Sequence, residues 1–134
     1  MIELTKAFAG MPLKVIPMAM GIKSLLGDTH GLGHFDLIYS AGLYDYLDTR
    51  LATRLTAKLF GLLSPGGRLT YTNFAADIAS IGIMEAATDW WLIYRSAAET
   101  RALSDEIDKS QIKSMNEYSD PGRNIFFVEI QKSF

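Results

Sequence analysis

The apolar positions of the chain keep two periods, and the change from one to the other falls within residues 35–73. Phe35, Leu37, Ile38 and Tyr39 make a short run whose length and composition suit a buried strand. Ser40, Ala41 and Gly42 follow, small residues where a backbone can turn sharply or let a ligand come close. From Leu47 the spacing becomes four: Leu47, Leu51, Leu55 and Leu59, completed by Leu62, form one stripe of a helix. Asp48 and Thr49 stand where an N-cap belongs. Ser64, Pro65, Gly66 and Gly67 predict the end of that helix and a turn. Leu69, Tyr71 and Phe74 then mark a second strand. Strand, helix and strand in so short a stretch predict parallel strands joined by a right-handed crossover. The core is therefore expected to be part of a doubly wound α/β sheet.

The flanks are plainer. Residues 1–11 predict a short helix, with Leu4, Ala7, Phe8 and Met11 on one face. Residues 13–17 read as a short strand whose closing Pro17 suits an edge. Gly21 opens a turn leading into a helical turn or two, and residues 28–34 are a glycine-punctuated loop. Residues 75–98 are expected to be mostly helical and include a dense aromatic stretch, Asp89, Trp90, Trp91, Leu92, Ile93, Tyr94 and Arg95. Ser96 and Glu99 have the spacing of a capping box for a second helix over residues 96–107. Residues 112–118 and 124–130 read as strands, and the tight Ser119, Asp120, Pro121, Gly122 turn between them predicts antiparallel pairing.

Composition narrows the picture further. The 134 residues make one domain, long enough to bury a core, and 49% hydrophobic content excludes general disorder. A net charge of −2 offers no basic field to nucleic acid or anionic lipid. The absence of cysteine removes disulfides, thiolate nucleophiles and cysteine-based metal sites, which fits a cytoplasmic protein. No apolar run approaches the roughly 18 residues that cross a bilayer. Glu3, Lys6, Pro12, Lys14 and Pro17 break up the amino-terminal segment and make it a poor signal peptide. His30 and His34 are four apart, but glycines lie between them and no third ligand is evident, so no metal site is expected.

The phrase FDLIYSAG, the amphipathic helix after it, and LLSPGGRLTYTNF together resemble the middle of a class I S-adenosylmethionine-dependent methyltransferase. In that family a Leu-x-Pro-Gly-Gly-x-Leu phrase stands before the fifth strand. With YSAGLYDYL and DWWLIYR added, the chain is similar to a bacterial subfamily that makes extracellular factor, the methyl ester of 3-hydroxypalmitic acid. The resemblance runs from about Leu13 onward. It implies that Ser40, Ala41, Gly42 and Leu43 end the fourth strand, where cofactor and acceptor meet; a tight strand–helix turn is the plainer reading. It places Tyr44, Asp45 and Tyr46 in the methyl-transfer site as catalytic residues, against an exposed loop. Gly21 and Ile22 would lie at the adenine contact, with Met20 or Lys23 as substitutes for Ile22. Asn73 would offer its amide near the acceptor, or simply form a turn.

Helical spacing pairs Trp90 with Tyr94 and Trp91 with Arg95. Either large aromatics bury this helix while Asp89 pairs with Arg95, or the cluster is an apolar acceptor pocket. In the second case Arg95 would hold a substrate carboxylate in its planar fork.

The family opens with a strand and a glycine-rich G-x-G-x-G loop, followed by an acidic residue for the ribose. Here the glycine cluster of Gly27, Gly31 and Gly33 precedes a strand instead of following one. The resemblance therefore implies a carboxyl-terminal part of the domain, with S-adenosylmethionine bound weakly or not at all by this chain alone. It also implies that residues 35–40 are left with an open apolar edge, to be covered by residues 13–17 or by a second copy in a homodimer. The implied reaction is methyl transfer to oxygen of a small molecule or hydroxy fatty acid carboxylate, a group already ionised at neutral pH. Two alternatives stand beside it: a non-catalytic remnant serving dimerisation or interaction, and another doubly wound enzyme whose Pro-Gly-Gly turn is coincidental.

Overall fold

The structure, a computed structural model, describes residues 6–28 and 31–134. Helix α1 (Ile22–Leu26) leads to strand β1 (Phe35–Ser40), a 3-10 turn at Tyr44–Tyr46 and helix α2 (Thr49–Gly61). Strand β2 (Leu63–Phe74) follows, then helices α3 (Ile81–Thr88) and α4 (Ala97–Ala102). A second 3-10 turn at Lys109–Gln111 precedes strands β3 (Ile112–Ser119) and β4 (Ile125–Lys132). Across the sheet the order is β1-β2-β4-β3. β1 and β2 are parallel, with Ile38 beside Leu69 and Ser40 beside Tyr71. β4 runs antiparallel to both β2 and β3. The parallel strand–helix–strand unit and the antiparallel carboxyl-terminal pair are both present.

Helix α2 starts where its cap is: the Asp48 carboxylate accepts from the Leu51 N–H at 2.8 Å. Of its stripe, Leu47, Leu55, Leu59 and Leu62 are buried and Leu51 half-buried. They pack with Leu69 and Tyr71 of β2, Val128 and Ile130 of β4, and with Leu103 and Ile107. Each fully buried leucine contributes roughly 2 kcal/mol. Since side chains alternate across a strand, all this lies on one face of the sheet. The Tyr71 hydroxyl donates to the Thr100 carbonyl at 2.9 Å and ties α4 to that same face. The opposite face carries Leu37 and Tyr39, which are 64% and 60% exposed. It also holds an Arg68–Glu129 ion pair at 3.7 Å and a stack of Tyr118 on Phe127 at 4.9 Å.

Four expectations change. First, Ser64, Pro65, Gly66 and Gly67 are not a turn before the strand but a bulge within β2. Leu63 pairs with Phe35 and Arg68 with Leu37, so these four residues stand opposite Asp36 alone. Gly66 has φ +77°, and a Cβ on Gly67 would lie 2.9 Å from the carbonyl oxygens of Phe35 and Ser64. One glycine answers a backbone conformation and the other a close approach of β1.

Second, residues 13–17 form no strand; β1, whose composition suits a buried strand, pairs among the described residues with β2 alone, which leaves the open edge that the resemblance implies. Third, within residues 75–98 helix α3 covers only Ile81–Thr88 before Asp89, at φ 50°, ends it; residues 90–94 form neither helix nor strand. Fourth, the capping box of Ser96 and Glu99 is formed, but the helix it starts ends at Ala102. The helix expected over residues 1–11 begins outside the described residues.

The bulge gives a paired test. Gly67→Ala must push two carbonyls away and is expected to lower stability by about 1–3 kcal/mol. Gly61→Ala, at the last position of α2 with nothing within 4 Å of the new Cβ, is expected to raise it by about 0.5–1 kcal/mol. Urea unfolding of both variants measures the contrast, and equal effects would refute the packing explanation.

Candidate functional site

The carboxyl ends of β1 and β2 open on a short turn that alternates between core and solvent. Ser40 closes β1, and Ala41 and Gly42 are exposed. Gly42 sits at φ +74° with no atom within 4 Å of where a Cβ would be. Leu43 packs on the core. In the 3-10 turn Tyr44 points inward and is fully buried. Its ring stacks on Tyr71 at 4.8 Å and its hydroxyl lies 3.0 Å from the Thr56 Oγ1. Burial pushes that hydroxyl up to about 12, against the Thr56 hydrogen bond. Tyr46 points outward and is 56% exposed.

Asp45, between them, is buried. Its carboxylate accepts from the Phe74 N–H at 2.7 Å, and its carbonyl accepts from the Ile93 N–H at 2.7 Å. Desolvation raises the Asp45 pKa, opposed by the Phe74 hydrogen bond and by the charge of Arg95. Arg95 is only 3% exposed. It donates to the carbonyls of Tyr44 at 3.0 Å and Leu47 at 2.6 Å, and to the Asn73 Oδ1 at 2.5 Å. Burial lowers its pKa, and the Asp45 carboxylate leads the opposing charges. The Asn73 Nδ2 donates to the carbonyls of Ile93 at 2.9 Å and Phe74 at 3.1 Å. The Arg95 N–H donates to the Phe74 carbonyl at 3.1 Å, which lays this segment along the end of β2.

Outside this buried network is an aromatic rim. The Trp90 Nε1 donates to the Tyr46 hydroxyl at 2.7 Å, and the Trp90 ring meets Phe74 edge-on at 6.0 Å. Trp91 is exposed, with its Nε1 donating to the Asp89 carboxylate at 2.6 Å. Tyr94 borders a cleft of about 310 Å³ together with Thr49, Ile93, Arg95 and Glu99. Gly21 is the exposed N-cap of α1, and Ile22 packs on the core beside α2.

Of the residues singled out in the sequence, Tyr44, Asp45, Asn73 and Arg95 come together as an internal network. Tyr46 and Trp90 come together on the surface. The helical pairings fail because residues 90–94 form no helix. Asp89 engages Trp91, not Arg95, and the Arg95 fork holds main-chain carbonyls and an amide in place of a carboxylate. Phe74, expected as a strand residue, was not anticipated at the rim. Strand alternation beyond Thr70 and Thr72 puts it on the face opposite the core, where an aromatic partner can reach it. Among the described residues no cluster of potential metal ligands is present, and no helix is long and apolar enough to cross a membrane.

Arg95→Met is expected to destabilise the fold by on the order of 3 kcal/mol, because three buried acceptors lose their donor. Chemical denaturation reads this directly, and a loss under about 0.5 kcal/mol would place Arg95 among ordinary surface residues. Asp45 adds a pH test. With its pKa raised by folding, the folded state keeps this proton to higher pH than the unfolded state. Its contribution is therefore full below the ordinary carboxylate value of about 4 and is lost as pH rises through the raised value. Unfolding at several pH values should show wild type losing ground to Asp45→Asn as pH rises, and the opposite trend would overturn the assignment.

Neither a protein-family model nor a curated protein sequence matches the chain. Solved structures do. The chain is similar to the apo form of the S-adenosylmethionine-dependent methyltransferase SibL, with TM-score 0.68 and 19% identity, covering 98% of this chain and 40% of that one. Magnesium protoporphyrin IX methyltransferase from Synechocystis PCC 6803, with bound S-adenosylhomocysteine, gives TM-score 0.63 and 13% identity over 98% of this chain and 57% of that one. Human N-acetylserotonin methyltransferase in complex with S-adenosylmethionine gives 0.57 and 13% over 82% and 32%. The chain thus spans well under two thirds of each of these structures. Its mixed α/β sheet is part of the Rossmann-like fold found in S-adenosylmethionine-dependent methyltransferases.

Proposed function

We propose that the chain is the carboxyl-terminal part of an S-adenosylmethionine-dependent methyltransferase acting on an oxygen of a small molecule, with a hydroxy fatty acid carboxylate as the acceptor class. The reading is carried by the parallel β1–β2 pair, whose carboxyl ends open on the Gly42 turn beside the exposed Tyr46 and Trp90. Ligands of such sheets bind at that edge.

The described residues fit the cofactor only in part. Residues 40–43 offer a close backbone approach at Gly42, with Leu43 packed beneath. Gly21, exposed ahead of α1, is the adenine-side candidate, and Ile22 supports it from the core. Asp45 is buried, with one carboxylate oxygen on the Phe74 N–H, and so is not presented to ribose hydroxyls. Binding by this chain alone is therefore weak. When bound, the cofactor supplies an electrophilic methyl group. A carboxylate acceptor is ionised at neutral pH and leaves no proton to remove. The rim then serves to align the acceptor and exclude water. Tyr46 receives the Trp90 N–H on its oxygen, so its own O–H remains to donate to an acceptor oxygen. Trp90, Trp91 and Tyr94 give the apolar faces an acyl chain needs. Tyr44, Asp45, Asn73 and Arg95 position the turn without touching substrate.

A second reading is an interaction module without catalysis. It is favoured by the internal pairing of Asp45, Asn73 and Arg95, which leaves few polar groups for chemistry.

Titration with S-adenosylhomocysteine followed by amide NMR separates the two. The methyltransferase reading expects saturable shifts centred on residues 40–43, Tyr46 and Trp90, with a dissociation constant on the order of 1 mM, weakened further in Trp90→Ala. No shift at these positions up to the solubility limit would overturn it.

A further inference from the structure

The face of β3 and β4 that meets α4 is filled only part of the way along. Val128 and Ile130 belong to the leucine core, but Phe126, nearer the hairpin and on the same side of β4, stands outside it and is half-buried. Beside it is a cleft of about 260 Å³. Its walls include Phe126 and Val128, Ala97 at the start of α4, Glu117 and Ser119 at the end of β3, and Arg123 of the hairpin. The polar groups around it are unequally provided for. The Glu117 carboxylate pairs with the Arg101 Nε at 3.0 Å. The Asp120 carboxylate turns back into the hairpin and accepts from the N–H groups of Asn124 and Ile125, both at 2.7 Å. These bonds fix the turn and with it the left-handed Arg123, at φ 55°. Among the described residues the Arg123 guanidinium and the Ser119 hydroxyl have no partner.

We propose that this cleft binds a small aromatic carboxylate, with its ring on Phe126 and its carboxylate in the Arg123 fork. An arginine meets a carboxylate through two parallel N–H bonds, and the acids nearest to Arg123 are already engaged. Ser119 can donate one hydrogen bond more. Phe126, Val128 and Ala97 supply an apolar floor, and a ring laid offset on Phe126 gains more than its buried area alone gives. At about 260 Å³ the cleft is just below the usual range for small-molecule pockets, so one ring fits and a long acyl chain does not. The site therefore differs in its ligand from the acceptor rim at Tyr46 and Trp90. It is also built from other elements. β3 and β4 form the flank of the sheet farthest from the open edge of β1, so the walls do not depend on what adds beside that edge. This inference does not rest on methyl transfer, and its test reads no cofactor.

Phenylacetate is the probe. Titrated into the purified chain and followed by amide NMR, it is expected to give saturable shifts at Ala97, Ser119, Arg123 and Phe126, with a dissociation constant on the order of 1 mM. Phenylacetamide has the same shape without the charge and is expected to bind at least about fivefold more weakly, as is phenylacetate to Arg123→Gln. Ala97→Leu fills the cleft and keeps the charge, and it is expected to weaken phenylacetate by a similar factor. Both positions are exposed, and amide spectra unchanged away from the cleft confirm that the variants keep the fold. The absence of saturable shifts at roughly tenfold that concentration overturns the proposal. So does binding undiminished in Arg123→Gln, which removes the carboxylate contact, or undiminished in Ala97→Leu, which leaves only a surface ion pair. Shifts centred on residues 40–46 overturn it too, since they move the ligand to the rim.

Discussion

The buried guanidinium of Arg95 is the interaction on which the upper half of the molecule depends. Its acceptors come from three places: the Tyr44 carbonyl in the 3-10 turn, the Leu47 carbonyl just before α2, and the Asn73 side chain at the end of β2. A guanidinium carries its donors in a fixed plane and accepts nothing, so these groups must take up one arrangement to be satisfied together. Burying that charge is costly, and the nearby Asp45 carboxylate offsets part of the cost without a direct ion pair. The result is a rigid joint made largely from main-chain carbonyls, which is why the turn after β1 can present its neighbours so differently.

That joint separates support from display. Tyr44 goes into the core beside Tyr71, Asp45 ties the turn to the end of β2, and Tyr46 is left facing water beside Trp90. Three consecutive residues therefore hold three environments, set by the tight winding of a 3-10 turn. A rim held from beneath in this way does not need its exposed side chains for stability, and so they are available for recognition.

Much of the fold was legible because local and global preferences agree there. The leucine stripe, the Asp48 cap, the capping box of Ser96 and Glu99, and the strand composition of residues 124–130 each point to the element that forms. What misled was long-range. Trp90 with Tyr94, and Trp91 with Arg95, have helical spacing, but helical pairing would draw Arg95 away from Tyr44, Leu47 and Asn73, and those buried acceptors win. Ser64 to Gly67 has the composition of a turn, yet the same glycines serve a bulge because β1 runs past them at carbonyl-contact distance. Residues 13–17 have strand composition but pair with no strand among the described residues, and an isolated strand has nothing to hold it. For the site, the residues were legible and their roles were not: inward and outward positions in a 3-10 turn cannot be told apart without knowing what packs beneath.

The placement of the two tryptophans has an optical consequence. The chain holds only Trp90 and Trp91, they are 42% and 63% exposed, and both lie on the irregular segment after α3 that carries the rim. Intrinsic indole emission therefore reports on this surface and is nearly blind to the leucine core. Tyr44 and Tyr71, stacked in the interior, add a core contribution to the near-ultraviolet signature of the packed state. Two spectral windows thus watch two regions of one small molecule without any label being attached.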